Sequence, residues 1–345
     1  MKAAGEIHRE LYGPDAMIGA GKEAPKNPAE LLIVEGDGSR YRTNEADKRK
    51  KGDTSKAAPT DCPSEAQSGA SAACDGIAPE ERARGWRENK VGVVIRGLPG
   101  HTDPDGEYVP PKELVKTYVA TTEGIEEFGR DLRTEADRRG IEAAKDAVLV
   151  SDNGHGMPAM FEREFPRQYT TNRVTDFYHT TGRLSDCTKT IHGEGARDAP
   201  ARARMYLEIR GLLRDGKAEG IIDKLTPHAE ALAPRPKKLS ELDSKPDAKE
   251  LWTHVMYLEK YKDTMDYPTY RAKGWPVGSG SVEAACGQFG DRVKHARMRW
   301  TRKGADALHV TKAAILSGDG RWERRYPAPI PVLELPEALP AARAG

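Results

Sequence analysis

The order of strand-like and helix-like segments in this 345-residue chain predicts a mixed α/β sheet flanked by helices. Three observations carry that expectation. A meander of strand-sized segments comes first: "AELLIVEGDGSRYRT" (29–43), "KVGVVIRG" (90–97) and "KTYVATTE" (116–123). Helix and strand signals then alternate. Finally, the run "AVLV" (147–150) is apolar throughout, which suits a central strand covered on both faces.

Taken in order, the first strand leaves its apolar part at Val34 and runs on through Gly-Asp-Gly. "LPGHTDPDGEYVPPKE" supplies turn chemistry between the second and third strands. A helix follows over about 124–140, with Ile125, Phe128, Leu132 and Ala136 at helical spacing and Gly140 to end it. The "AVLV" strand stops at Ser-Asp-Asn-Gly, Pro158 opens another helix, and "RVTDFYH" (173–179) reads as a further strand. Residues 180–270 are helical and polar, divided by Pro234, Pro236 and Pro246. Two last helices are expected over about 282–298 and 303–317.

Residues 44–85 carry almost no large apolar side chains and are expected to form a disordered insertion. The Pro-rich tail is expected to be extended or disordered. The resulting map has an N-terminal remnant (1–28), a first core part (29–179), an α-helical insertion (180–270), the closing core helices (271–326) and the tail (327–345). This element order matches an RNase H-like core with a helical insertion before its last helix.

Hydrophobic residues make up 37% and charged residues 32%, and the net charge is only +1. Any basic surface must therefore come from local clustering. The longest apolar runs are strand-sized and no secretory h-region is visible, so a cytoplasmic protein with no membrane association is expected. The cysteines at 62, 74, 187 and 286 form no C-x-x-C pair and are expected as free thiols.

Three acids fall at telling places: Asp37 in the first strand, Asp152 at the end of the "AVLV" strand, and Glu283 at the start of a late helix. In an RNase H-like sheet the first and fourth strands are neighbours and the late helix packs across their ends, so the three would converge. Such a set suits two-metal phosphoryl transfer. Mg²⁺ takes oxygen ligands and keeps several waters, Mn²⁺ can substitute, and two ions roughly 3.5–4 Å apart serve the attacking and leaving oxygens. Each acid also has a plainer reading: Asp37 and Asp152 as turn residues, Glu283 as an acid favoured at a helix N-terminus. Glu35 and Asp176 compete with them and rank lower.

Behind Glu283, "DRVKHARMRWTRK" (291–303) is densely basic. Arg292, Lys294, Arg297 and Arg299 are candidate DNA-phosphate contacts, with Lys294 about three turns from Glu283 on the same face. A solvated helix face is the alternative. Trp300 could stack on a base or join the core. His179 in "DFYH" is an auxiliary candidate or a capping residue, and His155 in "DNGHG" has the same two readings.

As a set, "EGDGSRYR", "VLVSDNG", "VTDFYH", "GWPVGSGSVEAACGQFGDRVKHARMRW" and "GDGRWERRY" resemble the DDE transposases of bacterial insertion sequences, most of all the ISKra-type group. The Gly-Ser-Gly-Ser-Val-Glu turn and the basic segment ending in Met-Arg-Trp are the most specific part. The resemblance spans scattered blocks over about 29–326. It implies an RNase H-like catalytic domain using Asp37, Asp152 and Glu283, DNA ends and target as partners, a homodimer or larger assembly on DNA, and a nucleoid-associated place in the cytoplasm. The family's second motif usually runs Asp-Gly into an aromatic-rich stretch, whereas this chain has Asp-Asn-Gly-His-Gly-Met. Family members are also longer at the N-terminus, which implies a truncated or inactive copy. Two alternatives stand beside the transposase: a decayed copy that only binds DNA, and an RNase H-like nuclease without strand transfer.

Overall fold

A computed structural model of the chain describes residues 2–43, 85–294 and 298–325. The expected insertion, apart from Gly85, and the expected tail lie outside the described residues. Two helices, α1 (Lys2–Tyr12) and α2 (Pro14–Gly19), precede β1 (Leu31–Arg42) and β2 (Trp86–Leu98). A short ribbon of β3 (His101–Thr102) and β4 (Tyr108–Val109) leads to β5 (Lys112–Thr121). Then come α3 (Ile125–Arg138), β6 (Ala147–Ser151), α4 (Met157–Glu164), α5 (Arg167–Thr170) and β7 (Arg173–Thr175). The helical block is α6 (Phe177–His192), α7 (Ala199–Arg214), α8 (Ala218–Leu232) and α9 (Pro246–Tyr261). It is followed by α10 (Tyr267–Ala272), α11 (Gly280–Val293), α12 (Arg302–Leu316) and α13 (Arg321–Arg325).

Five strands form one mixed sheet in the order β5-β2-β1-β6-β7. β1 pairs antiparallel with β2 over its whole length and parallel with β6, and β6 pairs parallel with β7. The protein is thus an α/β fold with helices on both faces of the sheet. Strand alternation sorts the side chains. Leu32, Val34, Val94 and Leu149 join Phe128, Leu132 and Ala136 of α3 and Met160 and Phe161 of α4 in one core. Leu31, Ile33, Val91, Val93, Val148 and Val150 point the other way, into a core shared with α11 and the helical block. There Trp252 is fully buried and its indole N–H donates to the Ala233 carbonyl at 3.0 Å.

The N-terminal residues are folded onto the body: Ala4 and Ile7 of α1 pack against Val310 and Ala314 of α12. Two expectations need correction. "DFYH" is not a strand end, because β7 stops at Thr175 and Asp176 caps α6, its carboxylate accepting the His179 N–H at 2.7 Å. The helix bearing Glu283 ends at Val293 rather than near 298. Trp300 instead pairs with the end of β1, its N–H donating to the Arg42 carbonyl at 3.1 Å, which demands extended backbone there.

Candidate active site

β1 and β6 bring the first two acids together. Their parallel register ends at Glu35 opposite Val150, and carried two residues further it sets Asp37 beside Asp152. Burial, and next the charge of Asp152, push the Asp37 carboxyl above its usual range. The Gly38 N–H, donating to Oδ1 at 2.6 Å, offsets part of this. Asp152 caps its own turn, accepting the Gly154 N–H at 2.7 Å. Its carbonyl is held from the helical block by the Tyr257 hydroxyl at 3.0 Å.

The loop after Asp152 folds back over β1. Asn153 and His155 adopt left-handed backbone, with φ of 63° and 53°, a conformation Asn and His tolerate better than most side chains. A Cβ on Gly38 would lie 2.6 Å from the His155 ring, so only glycine admits this approach. His155 pairs with Glu88, which also holds Lys90 at 2.9 Å. The hydrogen bond with Glu88 raises the pKa of His155 against the pull of burial, and the charges of Asp152 and Asp37 add to the rise.

α11 delivers the third acid. It lies across β1 and β2, and its N-terminus is pinned by the two lower-ranked acids. Glu35 accepts the Val282 N–H at 2.7 Å, and Asp176 accepts both the Ser279 N–H and, at 2.6 Å, the Ser279 hydroxyl. Both acids are buried, and burial pushes the Glu35 carboxyl up to about 8. Backbone N–H groups at the start of this helix, those of Ser279 and Val282, are therefore already taken by these two neighbours. Glu283 instead stands exposed, its carboxylate held at 2.9 Å by His179 Nε2.

Asp37, Glu283 and His179 line one open cleft of about 930 Å³. Asp152 is not among the residues lining it, and its charge is felt there by Asp37. Arg40, Arg183 and Lys294 bring cations to the same walls. Of the cations expected from sequence, Lys294 reaches the cleft; Arg299 is exposed beyond the helix; the Arg292 side chain and all of Arg297 lie outside the described residues. Trp300 packs with Tyr41, Val293 and Ala305, which favours its core reading.

Sequence reasoning missed several wall residues. Cys286, one turn past Glu283, donates its thiol to Asp37 Oδ2 at 3.5 Å; burial and that carboxylate keep it protonated. Its i, i+3 spacing from Glu283 was the available signal. Arg183 and His254 come from the helical block, and no local pattern marks them. Burial pushes His254 down to about 4, so it is neutral.

The donor set suits a hard divalent cation. Asp152 is close enough to disfavour the charge of Asp37, and Glu283 offers carboxylate oxygens on the wall of the same cleft as Asp37. Among the described residues, no three His, Cys, Asp or Glu side chains are already drawn together to hold a metal ion. No helix among them is long and apolar enough to cross a membrane. Neither a scan against protein-family models nor a search of curated proteins finds a match for this chain.

Proposed function

We propose that the protein is a metal-dependent DNA strand transferase of the DDE transposase type, built on an RNase H-like core. The observation that carries this reading is the parallel β1–β6 pairing, whose register extended by two residues puts Asp37 beside Asp152, with Glu283 lining the same cleft as Asp37. Counted in chain order, the five sheet strands run 3-2-1-4-5 with the second antiparallel, the arrangement an RNase H-like core requires.

Asp37, Asp152 and Glu283 are the residues that would hold Mg²⁺ or Mn²⁺. When bound, such ions activate an attacking oxygen and stabilise the leaving one. The chain's own residues do the rest. Lys294, Arg183 and Arg40 attract the phosphate backbone. His179 orients the Glu283 carboxylate, and the protonated Cys286 thiol fixes Asp37 Oδ2. Tyr257 holds the Asp152 backbone, so the helical block steadies the acid pair as well as extending the cleft.

The test uses purified protein and a supercoiled plasmid carrying the element ends. Mg²⁺-dependent cleavage with joined products is expected, and Glu283→Gln should abolish it while DNA binding persists. Cleavage without joining would assign the chain to the nuclease reading instead. Full cleavage by the Gln variant would remove Glu283 from the chemistry.

A further inference from the structure

We propose that Tyr178 is a stacking platform for an unpaired nucleobase beside the reacting phosphate, an inference that rests on the DNA reading above. Among the described residues Tyr178 is the one exposed aromatic: it is 64% exposed, while each other Phe, Tyr and Trp is buried or half-buried. It lies on the wall of the acid-lined cleft, next to His179, whose ring holds Glu283.

The ring is held in place from two sides. Phe177 meets it edge-on, with centroids 5.6 Å apart and planes at 89°. On another side it rests on the bare backbone of the Gly-Ser-Gly-Ser turn. A Cβ on Gly278 would fall 2.7 Å from Cδ2 and 3.0 Å from Cε2 of the ring. The turn that leads into α11 therefore needs glycine at 278 in order to seat an aromatic in solvent, an outcome that core packing alone does not explain.

An aromatic face beside backbone-tracking cations is the combination that binds single-stranded nucleic acid, because every base offers a π-face. Arg183 and Lys294 share the cleft with Tyr178. A base inside a duplex is already stacked on its neighbours, so Tyr178 gains only one that has left the helix, by fraying or by flipping. Its place beside His179 assigns that base to a nucleotide at or next to the phosphate held over the acids. Selection of an opened DNA end follows from the same contact.

The experiment uses the full chain, without metal, and end duplexes that are either blunt or carry a short unpaired terminus labelled with 2-aminopurine. The wild-type protein is expected to quench the label and to prefer the unpaired end roughly tenfold. Tyr178→Ala should lose both effects and keep its affinity for blunt duplex and its thermal midpoint. Tyr178→Phe and Tyr178→Trp should retain them. An Ala variant that keeps the preference, or a Phe variant that loses it, overturns the stacking role, the latter because the hydroxyl and not the ring would matter. Binding to DNA with no preference for the unpaired end overturns this inference alone. Failure to bind any DNA overturns the functional reading along with it.

Discussion

Two groups of buried or half-buried acids in this molecule meet opposite fates. Around Glu135 the carboxylates are saturated. Arg321 donates to Glu135 through Nη2 at 2.8 Å and Nη1 at 3.2 Å, Arg138 through Nη1 at 2.9 Å, and Arg139 through Nε at 3.0 Å. Arg321 also grips Asp319, with Nε at 2.8 Å and Nη2 at 2.7 Å. Burial pushes the Glu135 carboxyl up, yet Arg321, Arg139 and Arg138 together hold it below its usual range. At the cleft, burial pushes Asp37 up, the neighbouring Asp152 pushes it further, and the groups that lower it do not restore the balance. The first group is a closed network that ties α3 to the Asp319–Arg321 turn. At the second, Asp37 stays uncompensated on the wall of an open cleft, the condition under which a diffusible cation is favoured. Sequence alone does not separate the two, since Gly-Asp-Gly occurs in both, at 36–38 and 318–320.

The sharpest way to break the contrast is to open the closed network. Arg321→Met should leave Glu135 short of compensation and cost about 3–5 kcal/mol of stability, read by urea unfolding. A loss under about 1 kcal/mol would mean that Arg138 and Arg139 suffice. Next in size is the anchor of α11. Ser279→Ala removes a hydroxyl from the buried Asp176 carboxylate and should cost about 1.5–3 kcal/mol, with cleavage falling as Glu283 loses its fixed position.

Acid titration gives a smaller effect of defined sign. Asp319 is lowered from 3.8 to about 2, chiefly by the hydrogen bond from Arg321 working against burial. Its contribution is complete above pH 3.8 and is lost as pH falls towards 2, and Glu135 is displaced in the same direction. Discounted for partial exposure, the Asp319 share is about 1–2 kcal/mol. The slope of stability against pH between 4 and 2 should flatten in Arg321→Met. An unchanged slope would show that the acid sensitivity arises elsewhere.

The smallest effect concerns the cations. Lys294→Ala with Arg299→Ala should reduce the salt dependence of DNA binding by roughly one unit of slope per lost phosphate contact. If only Lys294 contributes, the phosphate path stays within the cleft and does not continue along the segment beyond α11.

Much of the sheet was legible because its period is local: β1, β2, β5 and β6 each announce themselves by apolar alternation or by an apolar run. Asp37 and Asp152 were legible as a pair only through topology: β1 and β6 are parallel neighbours, and Asp152 follows directly on the end of β6 while Asp37 lies two residues past the last β1–β6 pair. The rest depends on contacts remote in sequence. Nothing near Val293 says that its helix must stop there, and nothing near Trp300 says that it pairs at the end of β1. "DFYH" has a strand-like composition, yet Asp176 caps a helix and binds a turn more than a hundred residues later. Tyr178, Arg183 and His254 acquire meaning only once the helical block faces α11.

The proposed metal site is the Asp37–Asp152 pair, completed by Glu283. A crystal structure obtained in Mn²⁺, read by anomalous scattering, tests it most directly. Density between Asp37 and Asp152, with the Glu283 carboxylate drawn from His179 towards it, is the expected result, and it should vanish in Asp152→Asn. Absence of anomalous density at the acid pair, with Glu283 still bound to His179 at saturating Mn²⁺, would contradict it.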